Sequence, residues 1–215
     1  MTPTLSDIQT AAARIRPYAH RTPVITCHSL DARVGAQVFM KCENLQKVGA
    51  FKFRGACNAV FSLTAAQAAR GVATHSSGNH AQALALAARL RGIPAYIVMP
   101  NNAPAVKRAA VAGYGGIITL CEPTQAAREA TLAQVVAETG AEVVHPYNDV
   151  RVITGQGTAT LELLADAPDL DVIIAPVGGG GLLSGTALAA KALAPHIRVI
   201  AGEPAGADDA FRSLA

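Results

Sequence analysis

Lys52 stands in Gly49-Ala50-Phe51-Lys52-Phe53-Arg54-Gly55, an amine between two phenylalanines in a chain with five lysines. Apolar neighbours that strip water from an amine lower its pKa and make it a better nucleophile and base. The ordinary alternative is a surface lysine whose stem lies on apolar groups while its head reaches water. Two further segments change that balance. Gly178-Gly179-Gly180-Gly181 follows the apolar run Val172 to Val177 and precedes a helical pattern from Leu182. Without side chains a backbone approaches an anion closely, and N–H groups at a helix start, aided by the dipole, favour phosphate. A simple strand-to-helix turn is the alternative, but four glycines carry more unfolded-state entropy than a turn requires. The run has neither the GxGxxG spacing of a dinucleotide site nor the Gly-Lys-Ser/Thr of a nucleotide phosphate loop.

The third segment, Ser76-Ser77-Gly78-Asn79-His80, also lies between a strand pattern and a helix pattern. It offers hydroxyls and N–H groups to a carboxylate, while Asn79 either caps the helix or donates to a cofactor oxygen. His80 alone reads as a half-buried helix residue. An amine, a polar turn opening a helix and a phosphate-sized glycine loop are together what holds an aldehyde cofactor covalently and by its phosphate. That combination points to pyridoxal phosphate.

The elements that must position these groups alternate along the chain. Ser6 with Gln9 suggests a capping box for a first helix reaching about Arg16, with Ile8, Ala11, Ala12 and Ile15 at helical spacing. A short helix from Ser29 toward Gly35 and a strand at Val38-Phe39-Met40 follow. Strands are then expected at Val72 to His75, Ala95 to Met99, Ile117 to Leu120, Val143 to His145, Val172 to Pro176 and Val199 to Gly202. Helices are expected near Phe53 to Leu63, Asn79 to Arg91, Pro104 to Ala112, Thr124 to Thr139, Val150 to Ala165 and Leu182 to Leu193. Pro104 suits a first helical turn, and Gly92, Gly113 and Gly140 fall where helix ends belong. Strands that are continuous apolar runs, each followed by a helix, predict an α/β fold of parallel sheets flanked by helices.

Bulk properties exclude several classes. The 18 basic and 15 acidic residues are scattered, with no basic block, so nucleic-acid binding has no support. No apolar stretch approaches the roughly 20 residues that span a bilayer, and Asp7 in an amphipathic start argues against a signal or transit peptide. Cys27, Cys42, Cys57 and Cys121 lack metal-type spacing and read as reduced buried thiols of a cytoplasmic protein.

Lys41-Cys42-Glu43-Asn44-Leu45-Gln46, the Lys52 segment, Ser76 to His80 and Pro176 to Gly181 resemble the pyridoxal-phosphate-dependent serine/threonine dehydratase and serine racemase family, of the tryptophan-synthase-β type. The likeness continues through Cys121-Glu122-Pro123, His145-Pro146, Gly155-Gln156-Gly157-Thr158 and Glu203-Pro204, in order along nearly the whole chain. It implies a smaller α/β domain, about 48–146, inserted into a large domain made of 1–47 and 147–215. It implies that Lys52 forms the Schiff base, Phe51 packs beside the cofactor, Asn79 contacts its ring oxygen and Gly178, Gly179, Gly180 and Gly181 hold its phosphate. Ser77 matches the racemases' serine on the opposite face of the substrate, while Ser76, Ser77, Asn79 and His80 bracket the substrate carboxylate.

Two further matches narrow the expectation. Glu203, the carbonyl of Ala207 and Asp209 match a divalent-cation site, whose hard oxygen donors suit Mg²⁺ or Ca²⁺. The alternative is an acidic helix start favoured by the dipole alone. Arg128 falls where certain racemases bind an acidic substrate, although an exposed arginine paired with Glu129 or Glu122 is the simpler reading. The resemblance thus implies a homodimer that converts serine, threonine or 3-hydroxyaspartate to a keto acid and ammonia, water being lost with the hydroxyl group and regained on hydrolysis. Racemisation by Lys52 and Ser77 is the alternative. A β-replacement enzyme of cysteine-synthase type fits the Lys52 segment poorly, and a non-catalytic cofactor-binding or interaction module is the competing class. The family pattern continues beyond Ala215 with the group that meets the pyridine nitrogen. A protein of these 215 residues alone is therefore expected to be weakly active or to need a partner to fold.

Overall fold

A computed structural model describes residues 2–214. Helix α1 (Leu5–Ile15) is capped by Thr4, whose hydroxyl accepts the Asp7 N–H while the Asp7 carboxylate accepts that of Thr4. The box lies two residues before the expected Ser6 and Gln9, because a carboxylate three residues after a threonine also suits the positive helix end. Strands β1 (Val24–Ile25) and β2 (Met40–Lys41) pair antiparallel around α2 (His28–Val34). The strand expected from Val38 starts only at Met40, since the Val38 N–H is taken by the Asp31 carboxylate. Two 3-10 turns, Glu43–Leu45 and Lys47–Gly49, lead into α3 (Lys52–Ser62). The sequence reading lacked α4 (Ala65–Arg70), although Thr64 and Gln67 form its capping box.

The next elements are β3 (Val72–His75), α5 (Asn79–Arg91), β4 (Ala95–Pro100), α6 (Ala105–Gly113), β5 (Ile117–Cys121), α7 (Gln125–Thr139) and β6 (Glu142–Val143). Their strands make one parallel sheet in the order β5-β4-β3-β6. Val72, Ala73, Ile97, Val98 and Met99 are buried in its centre, which is why β3 and β4 read as unbroken apolar runs. Helix α5 packs against α3 as well as the sheet and buries five alanines together with Leu84. Then come α8 (Val150–Asp166), β7 (Val172–Pro176), α9 (Gly181–Leu193), β8 (Arg198–Gly202) and α10 (Asp209–Arg212), with β7 and β8 paired in parallel. The expected α/β class with parallel strands and flanking helices is what the chain forms.

Several local expectations shift. Pro104 precedes α6 as its cap, and Gly113 is the last helical residue, the left-handed turn falling instead at Gly115 with φ 88°. Strand β6 ends before His145, and Cys27 is exposed while the other three free cysteines are buried. Among the described residues no helix is long and apolar enough to cross a membrane.

Close helix crossings place the site. A Cβ on Gly155 would lie 2.6 Å from the Gly55 Cα, and one on Gly185 would lie 2.5 Å from the Ile153 carbonyl oxygen and 2.6 Å from the Gly157 nitrogen. Glycines therefore let α8 press backbone to backbone on α3 and α9. Lys52 opens α3 and the glycine loop opens α9, so α8 sets the two against each other. Arg54, fully buried on α3, fixes the same arrangement. Its guanidinium donates to Glu43 at 2.8 Å and to Glu162 at 2.8 Å, and Lys41 pairs with Glu162 at 2.7 Å. Burial works against its charge, but bonds from the two carboxylates outweigh it and hold the Arg54 pKa above the ordinary arginine range.

Candidate active site

Lys52 is the first residue of α3, with Phe51 as the flanking cap. Its ammonium donates to the Pro146 carbonyl oxygen at 2.7 Å and lies 5.3 Å from the centre of the Phe51 ring. Burial pushes its pKa below the ordinary lysine value, the condition that makes an amine reactive near neutral pH.

The amine and the glycine loop share one cavity of about 190 Å³, lined by Phe51, Lys52, Tyr147 and the run from Pro176 to Leu182. The loop lies at the carboxyl end of parallel strand β7 and the start of α9, where ligands gather in folds of this type. No side chain caps α9, and the N–H groups of Gly178 to Leu182 have no hydrogen-bond acceptor among the described residues. Gly180 needs its left-handed φ of 83°. A Cβ on Gly179 would strike the Tyr147 ring at 2.1 Å, whereas one on Gly178 would meet nothing within 4 Å. A bare row of donors at a helix start fits a phosphate, and the desolvated amine fits an aldehyde.

None of Ser76 to His80 lines this cavity, although His80 lies near enough to Lys52 to feel its charge. The Ser76 hydroxyl accepts the Gly78 N–H at 3.3 Å, and Ser77 is half-buried. Gly78, not Asn79, occupies the cap position of α5, which leaves the exposed Asn79 side chain free of that task. His80 departs most from the sequence reading. It is 2 % exposed, turned away from the turn's open side, with Nε2 3.1 Å from the Val144 carbonyl oxygen. Burial first, then the nearby Lys52 charge, push its pKa down to about 3.

Arg128, on α7, is half-buried and forms no ion pair among the described residues, so the expected pairing with Glu129 or Glu122 is absent. Its Nε is buried without a partner, and its charge acts on His75 at the end of β3. Farther along, both Glu203 carboxylate oxygens accept N–H groups of α10, from Ala210 at 2.9 Å and Phe211 at 3.0 Å. Among the described residues no group of three or more His, Cys, Asp or Glu side chains gathers in metal-binding fashion.

Three participants had no role assigned from the sequence, although His145-Pro146 stood among its motifs. The Pro146 carbonyl carried no side-chain signal. Tyr147 lay one residue past the quoted His145-Pro146 motif, yet its ring covers Gly179. His145 stacks edge-on against Tyr147 with ring centres 4.6 Å apart, and its Nδ1 accepts the Asn148 N–H at 2.9 Å. Burial, then the charges of His75 and Lys52, lower its pKa despite Asp149.

A family model described as pyridoxal-phosphate dependent enzyme matches residues 15–215. The chain is 58% identical over 212 residues to a beta-hydroxyaspartate dehydratase of Paracoccus denitrificans (strain Pd 1222), covering 99% of this chain and 67% of that protein. It is 58% identical over 207 residues to a serine racemase of Arabidopsis thaliana, covering 96% of this chain and 62% of the relative. A solved structure of maize serine racemase superposes with a TM-score of 0.98 at 54% identity, over 99% of this chain and 65% of that one. The chain thus spans about two thirds of the length of these relatives.

Proposed function

The chain belongs to the pyridoxal-phosphate-dependent enzymes, and from that premise we propose that it carries the catalytic half-sites of a dehydratase acting on 3-hydroxy amino acids. Net, a 3-hydroxy amino acid becomes a 2-keto acid and ammonia. The observation that carries this is the shared cavity: a desolvated amine on one wall and, on the other, a row of loop N–H groups with no acceptor among the described residues.

Lys52 would hold the cofactor covalently, Gly178, Gly179, Gly180 and Gly181 would hold its phosphate, Phe51 would pack alongside, and Asn79 would contact its ring oxygen. When bound, the cofactor supplies an electron sink for a carbanion at the substrate Cα. The Lys52 amine, whose lowered pKa suits the task, would take the Cα proton of the bound substrate. The N–H groups and hydroxyls of Ser76, Ser77, Asn79 and His80 bind the substrate carboxylate. For His80 this is the backbone N–H, since its imidazole is turned inward. Arg128, charged and unpaired, takes a second carboxylate, which favours 3-hydroxyaspartate over serine and threonine. The dehydratase relative points the same way.

Ser77 returning a proton to the opposite face would invert the amino acid, and the 58% identity to a serine racemase supports that second outcome. The two share every step up to loss of the hydroxyl group. Residues 48–146, which carry the four-stranded sheet, act as the smaller domain that closes over the substrate and excludes water, against the large domain of 1–47 and 147–215. Glu203, the Ala207 carbonyl and Asp209 are hard oxygen donors for Mg²⁺ or Ca²⁺, and each Glu203 oxygen keeps a lone pair beyond its N–H bond. Melting with Mg²⁺ and with a chelator tests this: a cation effect that survives Glu203→Gln would place the cation elsewhere. A homodimer in the cytoplasm completes the proposal, the four free thiols being compatible with a reducing compartment.

The experiment is keto-acid release from serine, threonine and 3-hydroxyaspartate, with chiral analysis of the remaining amino acid. Keto acid from 3-hydroxyaspartate above all is expected. Neither keto acid nor inversion from any of the three would refute the proposal.

A further inference from the structure

Residues 144–148 form a strap that touches all three parts of the site. Val144 is fully buried, and its N–H extends the sheet to the Ala73 carbonyl at 2.9 Å. Its carbonyl meets His80 Nε2 at 3.1 Å. Two residues later the Pro146 carbonyl accepts the Lys52 ammonium, and next to it the Tyr147 ring lies on Gly179. The strap passes from the sheet to the reactive amine and then to the glycine loop.

The state of His80 follows from its partner. A carbonyl oxygen can only accept, so Nε2 carries the proton and Nδ1 is bare. That Nδ1 is buried with no hydrogen-bond partner among the described residues. An unpartnered buried acceptor is a net cost to the fold, so a histidine here is a poor choice for stability alone. What it supplies is one N–H aimed at the strap.

Building on the proposed role of Lys52, we propose that His80 is a positioning residue. Its Nε2–H fixes the Val144 carbonyl, so that the Pro146 carbonyl two residues on holds the Lys52 amine where it meets the cofactor aldehyde. The strap meets the glycine loop only through Tyr147, and the loop N–H groups assigned to the phosphate donate to no strap atom among the described residues, so phosphate recognition depends less on this bond than the placing of Lys52 does. The two halves of cofactor binding are separable. The titratable groups that feel the Lys52 charge are His80 from α5 and His145 from the strap, both also in the field of Asp149, while the loop and Phe51 bring no titratable side chain.

The test uses the full chain stripped of cofactor, with pyridoxal phosphate as the probe. Covalent capture, in which amine and aldehyde join with loss of water, is followed by borohydride trapping and mass analysis of Lys52. Noncovalent affinity is measured in Lys52→Ala with and without His80→Leu. His80→Leu is expected to slow capture about tenfold or more, the scale of a misplaced reacting group, while noncovalent affinity is unchanged. His80→Gln, which restores a neutral N–H donor, is expected to recover capture to within about twofold. Capture at the wild-type rate in His80→Leu would overturn the proposal, as would a folded His80→Gln that fails to recover it. So would equal losses of capture and noncovalent affinity, which mark a merely structural role. Failure of wild-type Lys52 to capture the probe would instead refute the function on which the inference rests. If His80→Leu does not fold, nitrogen chemical shifts of the wild-type imidazole decide: a proton on Nε2 with Nδ1 bare is expected, and a proton on Nδ1 would overturn the proposal.

Discussion

Adding one methyl group to either of two glycines should break the site in two different ways. A Cβ on Gly185 meets the Ile153 carbonyl at 2.5 Å, the Gly157 nitrogen at 2.6 Å and the Gly157 Cα at 2.9 Å, all backbone atoms that no rotamer change can move. Ordinary contact begins at 3.4 Å, so α9 must back away from α8 by close to 1 Å. Overpacking of this kind costs about 1–3 kcal/mol. Such a loss lowers the melting temperature of a chain this size by roughly 2–12 °C. At Gly178 a Cβ meets nothing within 4 Å and the backbone is not left-handed, so Gly178→Ala should fold and melt like the wild type. Its methyl group would nonetheless take up open space beside the loop assigned to the phosphate, and pyridoxal phosphate affinity should fall about tenfold or more, as when one or two charge-assisted hydrogen bonds are lost. The assay pairs thermal melting without cofactor with cofactor titration of each variant. Unchanged affinity in Gly178→Ala would refute the phosphate assignment, and an unchanged melting temperature in Gly185→Ala would refute the packing argument.

Three further outcomes follow from the same structure. Arg54→Met leaves Glu43 and Glu162 facing each other with only Lys41 between, and should destabilise the chain by about 3–5 kcal/mol in denaturant unfolding; Arg54→Lys should recover only part, since one ammonium cannot fork to two carboxylates. Folded His80 titrates at about 3, below the 6.5 of a free imidazole, so the unfolded state binds the extra proton between those values. Stability should therefore fall as pH drops through that window, by up to about 1.4 kcal/mol per unit from this group, and His80→Gln should flatten its share of an acid-denaturation curve. Arg128→Gln should raise KM for 3-hydroxyaspartate about 10- to 100-fold, the worth of a charge-assisted pair, and leave serine little changed.

What was legible in the sequence was whatever depended on local pattern. The bounds of β3, α5 and β7 could be read because apolar runs meet Gly-, Ser- and Asn-bearing turns there, and the glycine loop showed itself by composition. The two-residue strand β1 was missed because pairing across α2 makes it, not its own pattern. The inward turn of His80 is set by a carbonyl 64 positions away, and no spacing rule reaches that far. Pro146 acts through a backbone atom, which leaves no trace in residue type. Arg54 looked like a flank of Lys52, and only α8 folding back with Glu162 shows it as the centre of a buried ion cluster. Gly155 and Gly157 appeared as motif letters, and the helix crossing explains them as the absence of side chains between touching backbones.

The central claim is that Lys52 and the Gly178–Gly181 loop together hold pyridoxal phosphate. Reconstitution of the purified chain with the cofactor, borohydride reduction and peptide mass analysis tests it most directly. The account predicts one pyridoxyl-phosphate adduct, on Lys52, accompanied by a visible absorbance band that Lys52→Ala abolishes. An adduct on another lysine, or a band that persists in Lys52→Ala, would contradict it.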